Sequence, residues 1–135
     1  DNDPSKSRIV NTRQYRSPEV TLELGWSFPS DVWSAGCIIA EIYSGDLLFD
    51  THDELEHLAL IEQSCELFPR SMVDRSEHGV KYFDRHARVR YNELNDESRR
   101  VVDQMIPLKR YFTLSPEDAH SGIENLVTAW LRVDP

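Results

Sequence analysis

The sequence predicts a mainly α fold, a helical bundle built around one buried central helix. Three observations lead there. The stretch 30–45 is apolar on every side, with Val32, Trp33, Ala35, Cys37, Ile38, Ile39, Ala40, Ile42 and Tyr43 spread around the helix. Such a helix must be enclosed. A bilayer span needs roughly 20 apolar residues, and this run is shorter and carries Glu41, so the enclosing medium is protein. Two more helical patterns flank it. Leu55, Leu58, Ile61, Cys65 and Phe68 recur at helical spacing, and Ala119, Ile123, Leu126, Val127, Trp130 and Leu131 form an amphipathic stripe.

In chain order, residues 1–7 are polar and contain Pro4, which reads as a loop. Ile9 and Val10 make a short apolar contact. Pro18 and Glu19 open a short helix through Leu24, ended at Gly25. Ser30 is the expected N-cap of the central helix, Asp31 complements its N-terminal dipole, and Gly45 stops it. Thr51 and Glu54 read as a capping box opening a helix over 51–68 that Pro69 ends. Residues 70–92 are irregular, with Val80, Tyr82 and Phe83 as a short strand and Val89 and Tyr91 as its hairpin partner. Asp96 caps a helix to Ile106, before Pro107. Ser115 with Pro116 starts the last helix, 115–132.

The 135 residues suffice for one modest core, and 39% hydrophobic with 29% charged residues is ordinary for a soluble globular protein. The formal net charge of −9 disfavours nucleic acid and acidic membrane surfaces and favours a basic partner. Cys37 and Cys65 fit neither a metal spacing nor a disulfide framework and read as thiols in a reducing, intracellular compartment. Asp53 and His57 lie four apart on one helix without a third ligand, so they read as a solvated face and no metal site is expected. The start, DNDPSKS, has no signal-peptide character, and the absence of an initial Met reads as a chain cut or processed at that end.

Three motifs then carry a family resemblance. T-R-x-Y-R-x-P-E (residues 12–19) followed by S-D-V-W-S-x-G-C (30–37) resembles the activation-segment end and central helix of eukaryotic protein kinases. The YR before PE is similar to the branch holding the cyclin-dependent, MAP and CDC-like kinases. EHLALIEQSCE, Glu56 to Glu66, resembles the signature of the LAMMER, or CDC-like, dual-specificity kinases, with EHLA and Glu62 carrying the match. The resemblance implies a partial kinase domain over 1–135: activation-segment end and P+1 loop at 1–29, central helix at 30–45, a following helix at 51–68, a family insert at 70–112 and a late helix at 115–132. It implies ATP and magnesium for the complete domain, Ser/Thr or dual-specificity phosphoryl transfer to protein substrates, and a nuclear or nucleo-cytoplasmic setting. The Gly-rich loop, H-R-D and D-F-G of kinases are not found in this sequence. No catalytic residue is therefore expected here. Neither cofactor should bind this chain alone, and an exposed apolar patch should mark where further helices pack.

The family roles transfer residue by residue. Thr12 corresponds to a threonine lining the substrate groove near the catalytic base, and its hydroxyl can donate and accept at once. Arg13 joins it as a substrate-binding residue. Arg16 corresponds to the arginine that organises the activation segment, in some members through a phosphorylated residue. Ser5, Ser7 and Tyr15 are candidate phosphorylation sites. Glu19 corresponds to the A-P-E glutamate, here in S-P-E, a buried acid paired with a later arginine. That arginine follows an L-x-x-D-P pattern, matched by Leu131 to Pro135, where the chain ends, while Lys109 and Arg110 match an earlier LAMMER segment. Glu19 is thus expected to lack its partner, and an uncompensated buried pair costs ~3–5 kcal/mol. Asp31, Trp33 and Gly36 form the scaffold set, with Asp31 corresponding to the aspartate that receives catalytic-loop amides. The acidic span 41–66, which contains no Lys or Arg, reads as a solvated face or as a rim attracting basic Arg/Ser-rich substrates. The alternative is a non-catalytic kinase-derived interaction module, favoured by S-P-E and by the weaker end of the LAMMER match.

Overall fold

The computed structural model describes residues 12–113 and 121–134. A 3-10 turn, Arg13–Tyr15, leads into α1 (Pro18–Thr21), α2 (Phe28–Ser44), α3 (Glu54–Ser64), α4 (Arg70–Arg75), α5 (Gly79–Tyr82), α6 (Asp96–Gln104), α7 (Leu108–Thr113) and α8 (Ser121–Trp130). A second 3-10 turn, Tyr91–Glu93, precedes α6. The fold is mainly helical, and α2 is its post. The turn Arg13–Tyr15 and α8 pack on α2, α1 and α6 pack on α3, and α7 packs on α8.

Helix α2 starts two residues before the expected cap. Ser27 is the N-cap, Pro29 sits in the first turn, and Ser30 is the third helical residue. The Ser30 hydroxyl accepts the Ser27 N–H at 3.2 Å and donates to buried Glu19 at 3.2 Å. Ser30 thus closes the capping box and joins α2 to α1. The stop falls at Gly45 as expected, with φ +84°, a conformation that suits glycine.

The core runs from Trp33 through Phe49 to His57. The Trp33 and Phe49 rings stack at 5.9 Å, and the His57 ring is tilted on Phe49 at 5.6 Å. Leu58, Leu60 and Ile61 of α3 complete this layer, all at most 1% exposed. On the other side of the post Gly36 lets α8 come close. A Cβ at Gly36 would stand 3.0 Å from Leu131 Cδ2 and 3.4 Å from Trp130 Cβ. The post is not covered all round. Phe28 is 76% exposed, Ile38 43% and Ile42 78%. With Asp31 and Ala35 they share one face at i, i+3, i+4 spacing, so the expected apolar patch is present.

Several boundaries differ from the sequence-based expectation. Helix α3 begins after Asp53, whose carboxylate caps the Glu56 N–H at 2.9 Å. The Thr51–Glu54 capping box does not form, because the Glu54 carboxylate is drawn to Arg13. The helix ends at Ser64, and Phe68 reaches the core from the following loop, edge-on to Phe83 at 5.0 Å. Helix α1 ends at Thr21 rather than Leu24, with Ser17 as N-cap. Asn95, not Asp96, caps α6, accepting the Ser98 N–H at 2.8 Å. The hairpin near 80–92 is replaced by helix α5 and one antiparallel bridge, Phe83 with Val89. Two backbone bonds flank the bridge, Asp84 N–H to the Arg88 carbonyl and Arg90 N–H to the Tyr82 carbonyl, both at 2.8 Å, and side chains take other loop amides. Asp84 accepts the His86 and Arg88 N–H groups, and Glu62 accepts that of Val89. The expected start of the last helix at Ser115 and Pro116, the loop at 1–7 and the Ile9–Val10 contact lie outside the described residues.

Candidate functional site

The motif 12–16 is fastened almost residue by residue to α2 and α3. Arg13 Nη1 lies 2.7 Å from Glu54 Oε2, and Arg16 Nη1 lies 3.8 Å from the same oxygen. Between them the Gln14 side-chain amide donates to the Thr51 carbonyl at 3.1 Å. The Tyr15 hydroxyl donates to Glu41, and its carbonyl accepts from the Ser34 hydroxyl at 2.8 Å. The bond to Glu41, followed by partial burial, pushes the Tyr15 phenol up and keeps it protonated. The candidate modification site Tyr15 therefore has its hydroxyl engaged. Ser5 and Ser7 lie outside the described residues.

Two of the expected site residues, one at the start of this motif and one in the first turn of α2, are open. Thr12 is exposed, and among the described residues its hydroxyl has no hydrogen-bond partner. Asp31 is also exposed, and its carboxylate is likewise unbonded among the described residues. Glu19, by contrast, is only 8% exposed, and its carboxylate receives the Ser30 hydroxyl. Among the described residues no basic side chain pairs with Glu19. Trp33 is buried in the core stack, and Gly36 is buried at the α8 crossing.

His57 is not on a solvated face. It is fully buried against Phe49, and neither ring nitrogen has a hydrogen-bond partner among the described residues. Burial, then the positive charges of Arg13 and Arg16, push its imidazole down to about 3. Its helical spacing from Asp53 resembled a surface pair, but α3 lies in the core and turns position 57 inward. Among the described residues no three His, Cys, Asp or Glu side chains gather as a metal site requires. Both cysteines are free thiols. Burial pushes Cys37 well up and Cys65 up to about 12, so neither is a reactive thiolate.

Sequence reasoning missed what the acidic span 41–66 does. Five of its carboxylates act as internal connectors. Glu41 holds Tyr15, Glu54 holds the arginine pair, and Glu56 accepts the Ser98 hydroxyl. Glu62 takes the Val89 N–H at 3.0 Å and pairs with Arg88 at 3.4 Å. Glu66 takes the Val133 N–H at 2.8 Å and pairs with Arg132 at 3.7 Å. The only signal available beforehand was a run of acids without nearby bases, because the partners lie tens of residues away in the chain.

Comparisons with known proteins agree with this architecture. The family model described as Protein kinase domain matches residues 1–134. The chain is 46% identical over 129 residues to the mouse and human proteins named Dual specificity protein kinase CLK2, covering 96% of this chain and 25% of those proteins. It is 42% identical over 130 residues to the Arabidopsis thaliana Serine/threonine-protein kinase AFC3, covering 94% of this chain and 32% of that one. A crystal structure of a kinase domain superposes with a TM-score of 0.81 at 36% identity, covering 92% of this chain and 36% of that one. The chain thus spans about a quarter to a third of these relatives.

Proposed function

Because the chain belongs to the protein kinase domain family, we propose that it is the substrate-facing and scaffolding part of a LAMMER-type kinase. The complete protein would transfer the γ-phosphoryl of ATP to Ser, Thr or Tyr hydroxyls of proteins. The observation that carries this reading is the ledge itself. Residues 13–16 are held rigidly against a buried post, while Thr12 and Asp31, the two groups the family turns toward its catalytic loop, are exposed and unbonded among the described residues. Thr12 and Arg13 would line the peptide groove, Arg16 and Glu19 would order the segment, and Asp31, Trp33 and Gly36 would form its base.

ATP and magnesium do not find a fitting donor set among these residues. The described residues bring no acidic cluster together for the metal, and the ledge arginines are committed to Glu54. On this reading the chemical step belongs to other elements, because the sequence contains no Gly-rich loop, H-R-D or D-F-G. The exposed patch of Phe28, Ile38 and Ile42 is the surface on which those elements would pack. The exposed carboxylates Asp46, Asp50 and Asp53, with the net charge of −9, favour basic Arg/Ser-rich substrates. The same family relation favours a nuclear or nucleo-cytoplasmic setting, and no helix among the described residues is long and apolar enough to cross a membrane.

The test is a chimera in which this chain replaces the matching segment of human Dual specificity protein kinase CLK2. The chimera should phosphorylate an Arg/Ser peptide, and Thr12→Ala within it should lower kcat/KM. A folded, ATP-binding chimera that transfers nothing would instead favour a non-catalytic interaction module. Stabilisation of the isolated chain by ATP and magnesium would refute the assignment of the nucleotide site elsewhere.

A further inference from the structure

We infer that Glu54 is a built-in counter-anion that holds Arg13 and Arg16 in their ledge positions, so that this arginine pair is assembled by the chain's own carboxylate and not by a phosphate. Two guanidinium groups repel each other unless an anion lies between them. Here that anion is one carboxylate oxygen, 2.7 Å from Arg13 and 3.8 Å from Arg16. All three side chains are largely shielded, with 22–29% relative exposure, so the attraction is screened less than at an open surface.

The surroundings make Glu54 specific to this task. It stands in the first turn of α3, where the helix dipole favours a carboxylate. Asp53 has already taken the capping role, which leaves Glu54 free to reach the ledge. Its second oxygen is buried without a hydrogen-bond partner among the described residues, so its bonding is directed at the arginines. The Gln14 and Tyr15 bonds pin the backbone between the two arginines, and buried His57 sits within their electrostatic reach.

A phosphate carries about −1.5 to −2 charges at neutral pH. Arriving here, it would meet the like charge of Glu54 and would have to displace it. Modification at this place would thus act by exchange of anions on a preformed ledge. What the ledge is used for rests on the kinase reading above. The exchange of anions is read in this chain alone, so the two fail separately.

The experiment is thermal unfolding of the 135-residue chain titrated with inorganic phosphate at constant ionic strength. Wild type, Glu54→Gln, Glu54→Asp and the double variant Glu54→Gln with Arg13→Gln are compared. Glu54→Gln should be less stable without phosphate and should be stabilised by it over a concentration range of on the order of tenfold in which the wild type does not respond, the effect of removing a like charge beside the anion. Glu54→Asp should restore the wild-type response, and the double variant should lose the gain. An equal phosphate response in wild type and Glu54→Gln overturns the inference, as does a Glu54→Gln variant that folds and does not respond. If Glu54→Gln does not fold, the side-chain Nε–H signal of Arg13 in the wild type decides. It should not shift on addition of phosphate, and a saturating shift overturns the inference.

Discussion

His57 makes this protein acid-sensitive in a way that can be calculated. Its imidazole is fully buried and is held at about 3, against 6.5 for the unfolded side chain. The folded value is depressed, so as pH falls the unfolded chain takes up the proton first. The stability contributed by neutral His57 is complete above 6.5 and drains as pH falls from 6.5 toward 3. At about pH 5 the folded imidazole is still neutral, so the loss depends only on the unfolded value and comes to about 2 kcal/mol. Urea unfolding followed by tryptophan fluorescence at about pH 7.5 and about pH 5 measures this difference. His57→Phe keeps an aromatic ring beside Phe49 and removes both unpartnered nitrogens. It should abolish about 2 kcal/mol of the pH 7.5-to-5 difference, whatever it does to absolute stability. The other histidines are present in both proteins and cancel in the comparison, including His78, which bonds Glu23 at 2.6 Å. If the variant keeps the wild-type pH dependence, His57 is not buried and neutral, and the packing of α3 under the ledge described above is wrong.

Two further outcomes test the scaffold. Gly36→Ala places a methyl 3.0 Å from Leu131 Cδ2 and should destabilise the chain by ~1–3 kcal/mol, as overpacking does. In a double-mutant cycle with Leu131→Ala the Gly36→Ala cost should shrink, and strict additivity of the two changes would show that the α2–α8 approach is looser than described. Glu62→Ala frees the Val89 N–H and unpairs Arg88, which should cost ~1–2 kcal/mol and speed exchange of the Val89 amide. Unchanged exchange would show that the loop 84–90 is held by its backbone bridge alone.

The sequence by itself determined the helical character, the central post and the family. A helix this apolar has to pack against protein over most of its surface, and the 12–19 and 30–37 motifs are local strings that need no folding to be read. Local caps were less legible. Ser27 and Ser30, Thr51 and Asp53, and Asn95 and Asp96 each offer competing oxygens close together, and spacing alone does not choose between them. Glu54 shows this most plainly, since its local pattern pointed to a capping box and its actual partners are 41 and 38 residues away. Only the tertiary structure decided that Glu54 binds Arg13 and Arg16, that His57 turns into the core, and that Glu62 takes the Val89 N–H. The physical reason is that a carboxylate or an imidazole has no periodic signature. Its role depends on which charge or ring the packing of α2, α3 and α6 brings within a few ångströms, and that proximity is a property of the assembled bundle.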